Sequence, residues 1–217
     1  GFKIIIGYGE LGNVDPKILE DKGFKLKHIP MVRGSISPLK DIISFYYIWN
    51  FFKNERPDII HLVTIKPYLY GGIIARITGV SCLVSAVSGL GSLFIKNTLI
   101  TKLLRTFLKP VFKSAFNHQN QKIILQNTND LKVLKDWGVL DSFKVQLIKG
   151  SGVNLENFEK NDEPTGIPVI CFAARLIKEK GVNEFVTAAK ILKDRNIKAK
   201  YLLAGEIDQN NPSGFTK

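Results

Sequence analysis

Arg175 and Lys180 stand five residues apart in Ala173-Ala174-Arg175-Leu176-Ile177-Lys178-Glu179-Lys180-Gly181-Val182, between an apolar run and a helical pattern. That placement puts two cations on a loop over the carboxyl edge of a sheet. A guanidinium offers a bidentate fork and an ammonium a point charge, a pair suited to a diphosphate. A solvated loop with basic residues is the competing reading. Ser88-Gly89-Leu90-Gly91-Ser92 follows the run Cys82 to Val87, where small residues let backbone N–H groups approach a phosphate or sugar. A plain tight turn fits those residues equally well. His61, Thr64 and Lys66 fall at the end of another apolar run, with His61 read as a core histidine or as a group in the chemistry. Gly7-Tyr8-Gly9-Glu10-Leu11-Gly12 has dinucleotide-loop spacing, yet Asn13 to Pro16 separate it from a short helix and Met31-Val32-Arg33 lacks the ribose-binding carboxylate. It reads as a glycine-rich surface loop. Cys82 and Cys171 lie in apolar runs without a spaced partner, which excludes a disulfide scaffold and a four-cysteine zinc site and fits buried, reduced thiols of a cytosolic protein.

Charge narrows the partners. The 217 residues carry 31 Lys and Arg against 19 Asp and Glu, and 45% of them are hydrophobic, the composition of an ordinary globular chain. From Ile59 to Asn129 there is no acidic residue, while Lys66, Arg76, Lys96, Lys102, Arg105, Lys109, Lys113 and Lys122 supply eight of the twelve net positive charges. Something anionic is expected to meet this part. Within it, residues 100–116 place Ile100, Leu103, Leu104, Phe107, Leu108, Val111, Phe112 and Ala115 at helical spacing, with Lys102, Arg105, Lys109 and Lys113 on the opposite side. The apolar stripe is expected to pack on a sheet, the basic side to meet anionic headgroups, and Pro110 to kink or split the helix. A transmembrane span is rejected for the uncharged stretch between Arg76 and Lys96, which holds three glycines and four serines.

These residues need a frame. Short β-branched runs alternate with longer helical patterns, so the fold class is α/β with a parallel sheet covered by crossover helices. Strands are expected at 2–6, 25–29, 59–63, 82–87, 122–125, 144–148, 168–173 and 200–204. Helices are expected near 15–22, 38–54, 69–77, 100–116, 129–137 and 182–194. Ser37-Pro38 and Thr128-Asn129-Asp130 read as helix starts, and Gly23, Gly79 and Gly138 as stops. The charged, Pro- and Gly-punctuated stretch at 158–167 interrupts this rhythm, giving a first domain at 1–157, a linker, and a second domain at 168–217. Gly1 in place of Met, the strand-like residues directly after it and the brevity of the second region are read as marks of a piece of a longer protein, with no leader before the fold.

The chain resembles the family-four retaining glycosyltransferases, in particular those that build capsular, exopolysaccharide and protein-linked glycans on a polyprenyl diphosphate. The resemblance rests on Arg56-Pro-Asp-Ile-Ile-His-Leu-Val-Thr-Ile-Lys-Pro-Tyr-Leu-Tyr-Gly-Gly72, Val87-Ser-Gly-Leu-Gly91, Ile148-Lys-Gly-Ser-Gly-Val-Asn154 and Ala174-Arg-Leu-Ile-Lys-Glu-Lys-Gly181. It implies the GT-B fold of two Rossmann-like domains, here an N-terminal domain lacking its first strand and the start of the second, with the active site in the cleft between them. It also implies a nucleoside-diphosphate sugar as donor, UDP-linked, and a lipid-linked glycan as acceptor. Arg175 and Lys180 would then hold the donor diphosphate, with Gly205 and Glu206 near the nucleotide. His61, Thr64, Lys66, Ser88, Gly89 and Gly91 would line the acceptor side. Two cations that neutralise a leaving diphosphate leave no requirement for a metal or other cofactor. The family carries a histidine where Ser88 stands, and its paired glutamates fall beyond Lys217, so the catalytic residues are unassigned and this piece alone is expected to be inactive. A nucleotide-sugar epimerase on the same architecture is the alternative enzyme. A basic nucleic-acid-binding module is disfavoured, because the acid-free window lacks interleaved aromatic platforms. The expected location is the cytoplasmic face of the cell membrane, held peripherally.

Overall fold

A computed structural model of the chain describes residues 1–9, 15–31, 37–91, 94, 98–163, 165–207 and 214–215. Its contacts divide into two compact units, Gly1–Val153 and Asn154–Lys217. The division falls between Val153 and Asn154, so residues 158–167 lie wholly within the second unit. The first unit runs β1 (Ile5–Tyr8), α1 (Lys17–Glu20), β2 (Lys25–His28), α2 (Pro38–Glu55), β3 (Ile59–Val63), α3 (Ile65–Ile77), β4 (Cys82–Val87), α4 (Leu99–Ala115), β5 (Gln121–Leu125), α5 (Thr128–Asp136) and β6 (Val145–Leu147). The second contains β7 (Val169–Ala173), α6 (Val182–Asp194) and β8 (Lys200–Ala204).

Every described strand pair is parallel, as expected when each connection is a crossover helix. β1 pairs with β2, β7 with β8, and the largest sheet has the order β3-β4-β5-β6. α3 lies on β3 and β4, flanked by α2 and α4. Its seating depends on two glycines. A Cβ on Gly71 would come 2.7 Å from Leu62 Cδ2, and one on Gly72 would come 2.6 Å from the Ala115 carbonyl oxygen, so only hydrogen at these positions lets α3 touch both β3 and α4. Tyr68, Ile74, Leu83, Ile123, Leu125 and Leu134 fill the interior beneath the helices. Tyr68 stacks on Phe116 at 5.5 Å, and Phe112 meets Trp137 edge-on at 5.0 Å.

His118 ties the amino end of this sheet together. Its Nδ1 accepts the Asn120 N–H at 3.2 Å, so Nε2 carries the proton and donates to the Val80 carbonyl at 2.9 Å. Gln121 donates from Nε2 to Ser85 Oγ at 3.0 Å and to the Ala115 carbonyl at 3.2 Å.

Several expectations shift. The cysteines are not buried: Cys82 is half-buried and Cys171, on β7, is exposed. α3 begins at Ile65 rather than Leu69, because Pro67 falls in the first turn, where its missing N–H costs nothing. β1 starts at Ile5 and takes in Gly7 and Tyr8, so the first glycine of the dinucleotide-like pattern sits inside a strand; Glu10 to Gly12 lie outside the described residues, as do Val32, Arg33, Ser92 and Lys96. Ser37 makes no side-chain cap to α2, and Asn127 rather than the Thr128-Asn129-Asp130 triplet caps α5, accepting the Asp130 N–H at 2.7 Å. α4 runs unbroken through Pro110. The carbonyl of Thr106 that loses its partner lies on an exposed turn, where water can take the bond. Gly23, Gly79 and Gly138 have φ of 84°, 70° and 72° and end their helices as expected.

Candidate functional site

In the second unit the loops that follow β7 and β8, which carry Arg175 and Gly205-Glu206, run side by side. The two strands keep their register from Val169 with Lys200 to Ala173 with Ala204, and the pairing continues into the loops. Ala174 N–H donates to the Ala204 carbonyl at 3.0 Å, and Leu176 N–H donates to the Glu206 carbonyl at 3.0 Å. Arg175 sits between these two bonds, with its side chain exposed. Gly205 is what allows the approach, since a Cβ there would fall 1.8 Å from the Ala174 carbonyl oxygen.

Downstream, buried Ile177 and Val182 anchor a 3-10 turn, Lys178–Lys180, that leads directly into α6. Gly181 takes φ of 87° and brings no side chain to cap the helix, and its carbonyl accepts the Phe185 N–H at 3.0 Å. The N-terminus of α6 carries Glu184 in its first turn, with Oε2 3.7 Å from where a Cβ on Gly181 would stand. Lys180 is exposed beside that terminus. Arg175 and Lys180 are thus both exposed on the one loop that joins β7 to α6, with Glu184 at the start of the helix.

The first unit holds a second cluster at the carboxyl edge of β3 and β4. Thr64, between β3 and α3, has φ of 73° and ψ of 166°, a conformation populated almost only by glycine. Its carbonyl accepts the Tyr68 N–H at 3.1 Å, while its hydroxyl makes no cap to α3. Gly89 and Gly91 have φ of 153° and 66°, and a Cβ on Gly91 would lie 3.3 Å from Ile65 Cδ1, so the loop from Ser88 lies against the first turn of α3. Thr64 and Ser88 to Gly91 are thus neighbours, as expected.

Two residues differ from expectation. Lys66 is not an open cation, because its Nζ meets Asp41 Oδ1 of α2 at 2.7 Å with both side chains about four-fifths buried. Asp41 also accepts from the Tyr70 hydroxyl, and burial together with that carboxylate pushes the Tyr70 phenol well above its ordinary range. His61 is the third residue of β3, opposite Val84, and its side chain is exposed on the sheet face away from α3. It is neither a core histidine nor at the carboxyl edge. Asp41 and Tyr70 were missed because their partnership joins different helices and no local spacing announces it.

Of the four cations expected on α4, Lys102, Lys109 and Lys113 are exposed, while Arg105 is half-buried with its guanidinium 5.4 Å from the Phe94 ring centre. Among the described residues no group of His, Cys, Asp and Glu could hold a metal ion, and no helix is long and apolar enough to cross a membrane.

Residues 11–127 match the family described as glycosyl transferase 4-like, and residues 153–214 match glycosyl transferases group 1. A similar protein from Campylobacter jejuni, N,N'-diacetylbacillosaminyl-diphospho-undecaprenol alpha-1,3-N-acetylgalactosaminyltransferase, is 28% identical over 88% of this chain and 53% of its own. The capsular polysaccharide biosynthesis glycosyltransferase CapM of Staphylococcus aureus is 24% identical over 92% of this chain and 56% of its own. The chain therefore spans about half the length of the curated relatives it matches. Among solved structures, sucrose-phosphate synthase from Thermosynechococcus elongatus superposes with a TM-score of 0.69 at 16% identity, covering 99% of this chain and 55% of that one. A glycosyltransferase from Rickettsia africae superposes with a TM-score of 0.59 at 18% identity, covering 95% and 53%. These likenesses show the fold, Rossmann-like parallel sheets of the GT-B kind.

Proposed function

Because the chain belongs to the glycosyl transferase 4-like family, we propose that it is part of an enzyme moving a sugar, with retention, from a nucleoside-diphosphate donor to a glycan carried on a polyprenyl diphosphate. The reading rests above all on Arg175 and Lys180, both exposed on the loop between β7 and α6. The relatives named above act, by their names, on undecaprenol-diphosphate-linked sugar and in capsule synthesis, which supports the acceptor class. As the sugar departs, negative charge grows on the diphosphate. Arg175 and Lys180 would neutralise that charge and so lower the barrier. The site then needs no metal, and the donor nucleotide passes beside Gly205 and Glu206.

The acceptor belongs on the first unit, at the loops around Thr64 and Ser88 to Gly91, and its lipid carrier keeps the protein at the inner face of the cell membrane. Lys102, Lys109 and Lys113 favour that location, each worth about 1 kcal/mol near an anionic surface. Calorimetric titration of the 217-residue chain with UDP in EDTA tests the donor reading. Binding should occur, and Arg175→Ala or Lys180→Ala should each weaken it by about 10- to 100-fold, as loss of a charge-assisted bond does. Equal affinity in both variants would remove the assignment.

A further inference from the structure

From Ile59 to Asn129 no residue is acidic, so a carboxylate that neutralises Lys66 has to come from elsewhere in the chain, and it comes from α2. Asp41 Oδ1 lies 2.7 Å from Lys66 Nζ, with both side chains about four-fifths buried. The two partners differ in what else supports them. Asp41 stands in the first turn of α2, where negative charge is favoured, and it accepts a second bond from the Tyr70 hydroxyl. Tyr70 is itself held by Phe45 of α2, ring to ring at 6.4 Å. Lys66 stands in the first turn of α3, the end of a helix that disfavours a cation, on a flexible four-carbon stem. If the pair parts, Asp41 keeps a hydrogen-bond donor and a favourable helix end, whereas Lys66 needs another anion. Two residues before Lys66 comes the strained Thr64, and Ile65 between them meets the Gly91 loop, so the ammonium is rooted at the carboxyl edge of β3 and β4.

We infer that Lys66 is a diphosphate-binding residue kept closed by Asp41, whose carboxylate holds the ammonium until a diphosphate takes its place. This deepens the acceptor side of the proposed function and rests on that reading. Asp41 offers Lys66 a single negative charge that also serves Tyr70. A diphosphate offers at least two charges over several oxygens, enough to draw the ammonium across. A monoanion gains nothing over the carboxylate already present, so the pair selects against small anions of single charge. One ion pair replaces another, no covalent bond changes, and the Tyr70 hydroxyl keeps Asp41 hydrogen-bonded after Lys66 has left. The affinity that a diphosphate shows is then reduced by the fraction of molecules in which Lys66 is closed.

Calorimetric titration of the 217-residue chain carrying Arg175→Ala and Lys180→Ala, which removes the cations of the donor loop, reads the first unit alone. The probes are farnesyl diphosphate and inorganic pyrophosphate. Lys66→Met should weaken binding about ten-fold or more, the scale of a lost charge-assisted bond. Asp41→Asn should strengthen it about ten-fold, as when a competent state of about one molecule in ten becomes the rule. The same variant should melt earlier, and tighter binding by a less stable protein is an outcome that damage to the α2–α3 contact does not produce. Tyr70→Phe, which leaves Asp41 with Lys66 alone, should weaken binding. The gain from Asp41→Asn should vanish when Lys66 is already replaced by Met. A gain that persists reports only the change in net charge and overturns the exchange, as does binding unaltered by Lys66→Met or weakened by Asp41→Asn. Farnesyl diphosphate held more tightly than pyrophosphate assigns the diphosphate to a lipid carrier, and equal affinity assigns it to a free diphosphate; the exchange at Lys66 stands in both cases. No binding of either probe, by the parent chain or by Asp41→Asn, overturns the acceptor reading itself and the exchange with it.

Discussion

Gly205 and Ala174 touch so closely that a single methyl on Gly205 would fall 1.8 Å from the Ala174 carbonyl oxygen. Gly205→Ala must therefore push the 205–207 loop off its partner and break the bond from Leu176 N–H to the Glu206 carbonyl. The cost is that of overpacking, about 1 to 3 kcal/mol. A thermal melt should show the second unit destabilised, and UDP titration should show weakened binding. A variant with wild-type melting and affinity would mean that the two loops part freely.

Thr64 carries strain that glycine would release. Holding a β-branched residue at φ of 73° and ψ of 166° costs about 1 to 3 kcal/mol, and the flexibility of glycine returns about 0.5 to 1 of it. Thr64→Gly should therefore stabilise the first unit by about 1 kcal/mol in urea denaturation, and Thr64→Ala should not. Destabilisation by Thr64→Gly would show that the hydroxyl or methyl supports the fold.

The Tyr68 hydroxyl is buried without a hydrogen-bond partner among the described residues, and burial, with Asp130 nearby, pushes its ionisation far above the ordinary range. Tyr68→Phe keeps the ring that stacks on Phe116 and deletes the unpaired oxygen. Stability should rise by about 1 kcal/mol, the scale of an unsatisfied polar group. A loss of that size would reveal a partner for the hydroxyl.

Lys25 bonds to Glu55 Oε1 at 2.7 Å and, with smaller help from the charges of Lys3 and Lys27, holds this carboxyl below its ordinary 4.5. A lowered folded pKa means that the pair stabilises above pH 4.5 and that this contribution disappears as pH falls through the folded value. Carbon-detected NMR of the Glu55 carboxyl should give a midpoint under 4.5, and Lys25→Met should raise it. An unchanged midpoint in that variant would show that the bond does not form in solution.

Much of this was readable beforehand because periodicity reports burial directly. β3, β4, β8 and α6 fall at the residues where alternation and helical spacing put them. The position of the loop with Arg175 and Lys180 was legible for the same reason, since it follows β7 and precedes α6. What failed were features decided by distant partners. The ion pair of Lys66 with Asp41 joins α3 to α2 across 25 residues, and the close approach of Gly72 to Ala115 depends on how two helices cross. α4 misled in a different way. Its apolar positions share helical spacing, but spacing cannot say how wide a sector will be covered, and the core, reached through α3 rather than the sheet, takes only the side with Leu104, Leu108 and Phe112.

The order β3-β4-β5-β6 repeats the order of synthesis. Each strand that leaves the ribosome finds its neighbour already made, and only one helical crossover has to be threaded before it docks. A parallel sheet is ordinarily slow to assemble, because its contacts are distant in sequence. Here growth proceeds at one edge, so the sheet can form in step with translation. The nascent chain never has to hold one of these strands open for a partner still to come, which shortens the time that Leu83, Ile123 and Leu125 are exposed to other chains.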